Sequence, residues 1–535
     1  MPARYPLRDL LLLLAGALVA RVVAAWLVPS APYTDSAYYT LVAERLADGH
    51  GFTIPVLYSF LEVGGSLPVD PILPVHSNGH WMPLTSVVAA GSMALFGTDW
   101  RAGQVPMVLL ATVWVGITHF VTWDLWRVRS HALVAGVLAV FAGPLLIMLP
   151  LVDSFALFGV LGAVALWASM RAARSDGSTW GWWLVLAGGL IGLATLTRVD
   201  GLLLAVAPAV AWATRARSVG PSRALGWGAA SGLACLIVML LWIARNFEIY
   251  GAPLPSAGGH TLWITSYNEQ FAIGHEVSLA TYLASGPGVI IGSKLAALAE
   301  LAGRTLAMAG GVFALFFGAG SWMLRRRPEV RPFLAYFIAM LVAMALLFTF
   351  HAPKGAFVHS SAAWLPMAFA IGVHSVAPAC TTLGRWWPFL RRPQTHRFVI
   401  GASLLGAILL SLATSAVLLA SWRVANDRLA LAADYLSTNV PTEEVVMFAD
   451  PARLNLMTGH PGVAAPFDPF EVIGDVVDAY DVRWVVVTLE PGESRDALGL
   501  WDGAAGVDST GASPSFLPAS PAFEADGVRV WEVVQ

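Results

Sequence analysis

The chain has 535 residues, of which 57% are hydrophobic and only 12% charged, with a formal net charge of -3. A soluble domain carries about a quarter of its residues charged, so most of this chain is predicted to lie in lipid. The near-neutral charge excludes nucleic acid as a partner, because binding to phosphate backbones needs a basic surface. Cys235 and Cys380 lie in apolar stretches and indicate neither a disulfide framework nor a zinc site.

Apolar segments of a length suited to membrane helices recur along the first 422 residues. Eleven are predicted, over 10–28, 102–121, 132–149, 155–170, 181–196, 202–214, 224–243, 306–324, 333–350, 362–376 and 399–422. Arginines are concentrated in every second loop between them, beginning with Arg4 and Arg8. Cytoplasmic loops carry this basic excess, so we expect a protein of the cytoplasmic membrane with its N-terminus inside and its C-terminus outside. The first segment is interpreted as a retained helix rather than a removed signal peptide.

Two predicted outer loops, 29–100 and 245–304, are long for a compact membrane protein, and loops of that kind are usually functional. The segment 83–97 is apolar, but as a twelfth span it would put arginine-rich loops on both sides of the membrane. It is therefore predicted to be a helix at the outer membrane surface. A second surface helix is predicted over 283–301.

After Trp422 the sequence becomes charged and proline-rich. Helices are predicted over 426–438, 451–458 and 470–480, and strands over 444–449, 483–489 and 528–534. This alternation is typical of a small α/β domain. The predicted organisation is a transmembrane domain, 1–422, followed by an extracytoplasmic α/β domain, 423–535, that packs on the site or guides the acceptor. Asp450 and Pro451 are interpreted as a strand-to-helix corner and nothing more.

Ionisable side chains outside the cytoplasmic loops recur at the predicted outer ends of helices. They are Asp35, Asp153, Arg198, Asp200, Arg245, Lys354 and His359. Charged groups near the bilayer are costly and mark functional sites, so we expect one concave site at the outer surface. Carboxylates beside cations suit sugar transfer from a polyprenyl phosphate, with a carboxylate as general base and cations neutralising the phosphate. A single displacement would invert the configuration at the sugar.

Several motifs carry a resemblance to a known superfamily. They are DSAYY (35–39), AERLADGHGF (43–52), HWMPL (80–84), LVDS (151–154), LTRVDG (196–201), WIARNF (242–247) and YGAP (250–253). In order and topology they resemble the GT-C glycosyltransferases, in particular the protein O-mannosyltransferase and lipid A aminoarabinose transferase superfamily. The resemblance covers about the first 360 residues.

The resemblance implies roles for individual residues. Asp35 occupies the position of the family's catalytic base or acceptor-orienting carboxylate, and Asp153 that of its second active-site acid. His80 occupies the position of a basic residue that contacts the phosphate. Substrate contacts are also assigned to Tyr39, Arg198, Asp200, Arg245, Lys354 and His359. The chain departs from the pattern at Ser36, where many members have a glutamate, and at Met82, where they have a proline.

The implied partners are a polyprenyl-phosphate-linked sugar, membrane lipid and a hydroxyl acceptor, which can be a protein, a polysaccharide or another lipid. No cofactor is expected, because the sequence shows no cluster with metal-ligand spacing, although a divalent metal stays open. Asp35 and Asp153 also suit helix N-caps, and Arg198 and Asp200 a structural ion pair. Arg21 lies inside the first predicted helix, where its side chain reaches outward along the helix or contacts the phosphate, and the first interpretation is favoured. Two other functions stay open, a non-catalytic scaffold for envelope assembly and a secondary transporter, which requires repeated halves and midplane polar groups.

Overall fold

The structure is a computed structural model that describes residues 5–254, 259, 261–274, 276–489 and 514–534 and is mostly helical. Arg4, one of the arginines behind the predicted orientation, lies outside these residues. The helices are α1 Leu7–Leu27, α2 Thr34–Ala47, α3 Leu84–Phe96, α4 Trp100–Trp126, α5 Arg129–Val140, α6 Leu145–Met148, α7 Ser154–Arg174, α8 Thr179–Thr197, α9 Val206–Val219, α10 Pro221–Tyr250, α11 Leu279–Ala284, α12 Gly286–Met308, α13 Val312–Leu324, α14 Arg331–Val342, α15 Ala356–Leu383, α16 Pro393–Asn439, α17 Pro451–Thr458 and α18 Phe470–Ala479.

Every one of the eleven predicted apolar segments overlaps a helix. Within the described residues, eight helical stretches are long and apolar enough to cross a membrane, and a ninth results if α12 and α13 form one span. The segments predicted third and ninth correspond to shorter apolar helices, Arg129–Val140 and Arg331–Leu347. The chain is an integral membrane protein whose helices pack around α15, which is buried along nearly its whole length.

Two predicted spans differ from the structure at breaks in the helix. The segment predicted as one helix over 132–149 is interrupted between α5 and α6, where Gly143 has a φ of 56° and Pro144 follows. A Cβ at Gly143 would lie 2.9 Å from the Ala307 carbonyl oxygen, so glycine allows both the backbone angle and the close approach. The span predicted to begin at residue 306 begins instead at Val312, because α12 runs on to Met308 before a bend of 108°.

Arg21 does not reach outward along α1 but lies fully buried beside the first of these breaks. Its guanidinium donates to the carbonyl oxygens of Leu146 at 2.7 Å, Ala139 at 3.1 Å and Leu145 at 3.4 Å. Carbonyl groups left free by a helix break inside a membrane protein need such partners, since lipid offers none. Arg21 is therefore a structural residue of the transmembrane domain.

Two of the predicted basic loops meet at one end of the helix bundle, close to the start of α1. Asp124, at the end of α4, pairs with Arg127, Arg171 and Arg174. Arg129, at the start of α5, pairs with Asp9 of α1 at 2.7 Å. These two loops and the start of α1 thus share one side of the protein; that this side faces the cytoplasm stays a prediction.

The remaining secondary structure consists of short strands, most of them in one sheet. They are β1 Thr53–Ile54, β2 Val56–Leu57, β3 Val75–His76, β4 Val445–Met447, β5 Gly462–Val463, β6 Val482–Thr488, β7 Phe523–Ala525 and β8 Val528–Glu532. Strands β1 and β3 form an antiparallel pair. The larger sheet has the order β2-β5-β4-β6-β8-β7, parallel from β2 to β6 and antiparallel beyond.

Two features of the C-terminal region were not predicted. The helix predicted over 426–438 is the end of α16, one continuous helix of 47 residues that leaves the membrane segment and enters the α/β domain. The sheet of that domain also takes its edge strand, β2, from the first outer loop. The regions predicted as separate domains therefore share a sheet, since strand pairing depends on contacts that hydropathy does not reveal.

Candidate active site

Asp35 is the second residue of α2, and its side chain retains 30% of its surface exposure. It is not the helix N-cap, which is Tyr33. The indole nitrogen of Trp81 donates a hydrogen bond of 3.1 Å to Asp35 Oδ1. Hydrogen bonds to charged groups contribute about 1.5–3 kcal/mol, so this bond fixes the orientation of the predicted base.

Asp153 is the N-cap of α7, which was one of the two interpretations left open by the sequence. Its side chain is completely buried. Oδ1 accepts from the backbone N–H of Ser154, and Oδ2 accepts from the Tyr33 hydroxyl at 2.7 Å. Both oxygens of this second predicted acid are thus occupied by neighbouring donors.

His359 lies in the first turn of α15 and joins the two carboxylates. Its Nε2 is 3.2 Å from Asp153 Oδ1 and 3.6 Å from Asp35 Oδ2. Its Nδ1 is 3.1 Å from the carbonyl oxygen of Gly355. Both ring nitrogens thus face oxygen atoms, and which of them donates depends on the tautomer of the ring. The ring is held flat against Phe155, with centroids 3.9 Å apart and planes 11° apart.

The two carboxylates differ in their electrostatic environment. Burial and the nearby Asp153 carboxylate raise the pKa of Asp35 above its ordinary value of 3.8. Burial also disfavours the charged form of Asp153, but His359 and the donors Tyr33 and Ser154 outweigh it and lower its pKa. The arrangement therefore separates a proton-accepting carboxylate from one that stays charged, a pattern common where acid and base roles are divided.

Arg198 and Asp200 connect three helices next to this cluster. Arg198 Nε donates to Asp200 Oδ1 at 3.0 Å, and its Nη1 lies 3.4 Å from the Ser154 hydroxyl. Asp200 also accepts from the hydroxyl of Ser360, the residue after His359. The two residues form an ion pair that also holds a guanidinium beside the first turn of α7, and a substrate contact stays a prediction for both.

Two further predicted residues are Tyr39, one turn after Asp35 in α2, and His80, which precedes Trp81. Tyr39 is only 1% exposed, its ring packs edge-on against Tyr38, and burial holds the pKa of its phenol well above 10. His80 is exposed, with its ring 4.8 Å from that of Trp81. A substrate contact stays a prediction for both, and burial leaves Tyr39 little surface to offer.

Arg245 and Lys354 lie apart from the hydrogen-bonded cluster. The Arg245 guanidinium lies 4.3 Å from the Trp242 ring centroid and donates to the carbonyl oxygen of Ser77 at 2.8 Å. The Lys354 side chain is exposed, with its ammonium 5.1 Å from the ring centroid of Tyr267. No described contact joins either cation to Asp35 or Asp153, so their roles toward a phosphate stay predictions.

Sequence reasoning missed several residues that shape the site. Tyr33 and Trp81 donate directly to the two carboxylates, and Phe155 supports His359. Trp81 lies inside HWMPL and Tyr33 two positions before Asp35, so proximity to the motifs was the available signal. Nothing local indicates that Asp450 accepts a hydrogen bond of 2.7 Å from Thr34 across 416 residues.

Asp35, Asp153 and His359 offer oxygen and nitrogen atoms that lie within 4.8 Å of one another. No metal-ligand spacing is visible along the chain, because these groups come from three distant segments. Such atoms can bind a divalent cation, although both oxygens of Asp153 already accept hydrogen bonds from Ser154 and Tyr33. The cluster alone assigns no metal, and a metal-free site stays a prediction.

No protein-family model and no curated protein matches the chain. The fold, however, is similar to that of several solved structures. ArnT from Cupriavidus metallidurans in the apo state is similar with a TM-score of 0.59 and 13% identity, over 98% of this chain and 97% of ArnT. ArnT bound to undecaprenyl phosphate is similar with a TM-score of 0.57 and 15% identity, over 89% of this chain and 92% of ArnT.

A third similar structure is the archaeal oligosaccharyltransferase AglB from Archaeoglobus fulgidus in complex with an inhibitory peptide and a dolichol-phosphate. The TM-score is 0.50 and the identity 14%, over 89% of this chain and 69% of AglB. Both proteins are GT-C membrane glycosyltransferases. This chain has the GT-C fold. The predicted fold class is thereby confirmed, and at this level of identity the similarity concerns the fold.

Proposed function

We propose that this GT-C protein transfers a sugar from a polyprenyl-phosphate donor to a hydroxyl acceptor at the outer face of the cytoplasmic membrane. Its fold is that of ArnT, which has been crystallised with undecaprenyl phosphate, and of AglB, which has been crystallised with dolichol-phosphate. The site lies at the end of the bundle opposite the arginine-rich loops. A donor with a lipid tail would keep the tail in the bilayer and its phosphate at the depth of these helix ends.

In the proposed reaction, the acceptor oxygen attacks the anomeric carbon while the bond from that carbon to the phosphate oxygen breaks. Asp35 takes the acceptor proton as general base, and the lipid phosphate leaves with the bonding electrons. The single displacement inverts the anomeric configuration. Asp35 suits this role because its side chain is partly exposed and is oriented by the hydrogen bond from Trp81. Burial and the Asp153 carboxylate also raise its pKa, which makes it a better proton acceptor.

The cationic groups of the site have a separate function in this reaction. The imidazole of His359 and the guanidinium of Arg198 favour negative charge as it develops on the departing phosphate. Both are held in place, His359 by Asp153 and Phe155 and Arg198 by Asp200. Groups that are already oriented need no rearrangement during the reaction, which is the basis of electrostatic catalysis.

The observation that carries the proposal is the position of His359 Nε2, within 3.6 Å of Asp35 and 3.2 Å of Asp153. This position joins the partly exposed carboxylate of Asp35, the buried carboxylate of Asp153 and the imidazole of His359 in one unit. A scaffold protein has no need of such a unit. The scaffold interpretation therefore has no observation of its own in its favour.

The test uses purified protein in lipid with a panel of radiolabelled polyprenyl-phosphate sugars. Loss of sugar from one donor by the wild type, abolished in Asp35→Asn, would support the proposed reaction. Donor binding measured in the same samples distinguishes a missing acceptor from a missing activity. If no donor binds to folded protein, the transferase proposal fails.

A further inference from the structure

The C-terminal domain contacts the segment that carries Asp35 in three independent ways. The first is strand pairing: Gly462 N–H donates to the carbonyl oxygen of Pro55 at 3.2 Å, and Ala464 N–H donates to that of Leu57 at 2.7 Å. These bonds place β2 at the edge of the domain's sheet. The first outer loop is thus held by main-chain hydrogen bonds that do not depend on its side chains.

The second contact is apolar. Ala452, near the start of α17, is fully buried in the same core as Val42 and Ala43 of α2. Leu456, one turn further along α17, packs against this core. Helix α17 therefore lies directly against the helix that carries Asp35, and side chains on its contacting face fix how the two helices approach.

The third contact is polar and lies next to the proposed base. The Thr34 hydroxyl donates to Asp450 Oδ2 at 2.7 Å, and the Asp450 side chain is only 13% exposed. Arg453 lies 4.0 Å from the same carboxylate and donates to Asn426 of α16 at 2.5 Å. A chain of hydrogen bonds and charges thus runs from α16, the membrane helix, to the residue that precedes Asp35.

These contacts restrain a helix end that would otherwise fray. The first turn of α2 has no side-chain cap, because its N-cap Tyr33 carries no oxygen near the backbone and its hydroxyl donates instead to Asp153. First-turn N–H groups without internal partners weaken the start of a helix. The Thr34 bond to Asp450 supplies an anchor at that point, one residue from Asp35.

We infer that the C-terminal domain positions the first turn of α2, and that Asp450 is a positioning residue that sets the orientation of Asp35 through Thr34. The expected effect on the turnover rate rests on the proposed function. The expected effect on the first turn of α2 does not. Asp450 acts through Thr34 and is not proposed to contact the substrate. Its effect is on the rate of the chemical step, because a displaced base loses alignment with the acceptor while the donor still binds.

The test compares Thr34→Val, which removes the hydroxyl and keeps the shape, with Thr34→Ser, which keeps the hydroxyl. Asp450→Ala, which removes both acceptor oxygens, is the partner variant, and Asp475→Ala, at an exposed carboxylate of α18 in the same domain, is the matched control. Amide hydrogen exchange over the first turn of α2 reports positioning without any need for turnover. Single-turnover rates and donor affinity report its consequence for the reaction.

Thr34→Val and Asp450→Ala are expected to speed exchange in the first turn of α2 and to lower the turnover rate about tenfold with unchanged donor affinity, since small misplacements of catalytic groups are costly. Thr34→Ser and Asp475→Ala should behave as wild type. Wild-type exchange and rate in Thr34→Val would overturn the inference, as would equal damage in Thr34→Ser. If the wild type turns over no donor, the proposed function fails while the exchange result still decides the positioning.

Discussion

The Nε2 of His359 lies 3.2 Å from Oδ1 of Asp153, although 206 residues separate them along the chain. This contact brings the first turn of α15 against the N-cap of α7, and Asp35 of α2 completes the group. Three of the residues that the resemblance assigns to the site therefore form one unit.

Replacement of Asp35 by Asn should reduce sugar loss from the donor by a factor of about 10² to 10⁴, the usual contribution of a general base. Donor binding should persist, because the amide keeps the size of the side chain and its acceptor oxygen. Radiolabel release and donor affinity are measured in the same preparation. Asp48→Asn, an exposed carboxylate at the end of the same helix, is the control and should retain wild-type turnover.

The pH dependence of turnover should follow the ionisation of Asp35. A general base is active when deprotonated, so a pKa raised above 3.8 moves the acidic limb of the profile to higher pH than for an ordinary aspartate. Asp153→Asn removes a neighbouring negative charge that raises this pKa and should move the limb to lower pH in whatever activity remains. A shift in the opposite direction would show that another group limits the rate.

Trp81→Phe should lower turnover because it removes the N–H that orients Asp35 while keeping an aromatic ring against Tyr38, whose centroid lies 4.1 Å away. That hydrogen bond favours the charged form of Asp35, so its loss should raise the pKa and move the acidic limb upward. Trp386→Phe, at a tryptophan that is 66% exposed, is the control. An unchanged profile in Trp81→Phe would mean that the bond does not act on the base.

Turnover should survive removal of divalent metal by a chelator. Both oxygens of the Asp153 carboxylate already accept hydrogen bonds from Tyr33 and Ser154, which leaves fewer of their lone pairs for an ion. Activity is measured before and after chelation, followed by addition of Mg²⁺, Mn²⁺ or Zn²⁺. Loss of activity that a single cation restores would contradict the prediction and assign a metal to the group.

Arg21→Met should lower the thermal unfolding temperature in detergent by several degrees without changing donor affinity. The variant leaves carbonyl oxygens of Ala139 and Leu146 unpaired beside the break between α5 and α6, and each buried acceptor without a partner costs about 1–3 kcal/mol. Arg326→Met, at an exposed arginine, serves as the comparison. Equal stability of Arg21→Met and wild type would mean that water or another group replaces the guanidinium.

Local sequence properties were sufficient to predict where the helices lie, but not where a helix breaks or continues. Hydropathy located the segments around α7 and α10, since a lipid-facing helix must be apolar over most of its length. It did not separate α5 from α6, because the break depends on the backbone of Gly143 and on Arg21 reaching the freed carbonyls. Nor did it show that α16 continues as one helix past Trp422, where composition changes but helical geometry does not.

The sequence by itself determined that this is a helical membrane protein, and its motifs marked Asp35, Asp153 and Arg198, because composition and short motifs are properties of neighbouring residues. Only the tertiary structure decided that His359 joins the two carboxylates, that Trp81 orients one of them, and that Asp450 is bonded to Thr34. Those contacts connect residues up to 416 positions apart. Their formation depends on how helices and sheet pack together, and no local pattern of residues records that packing.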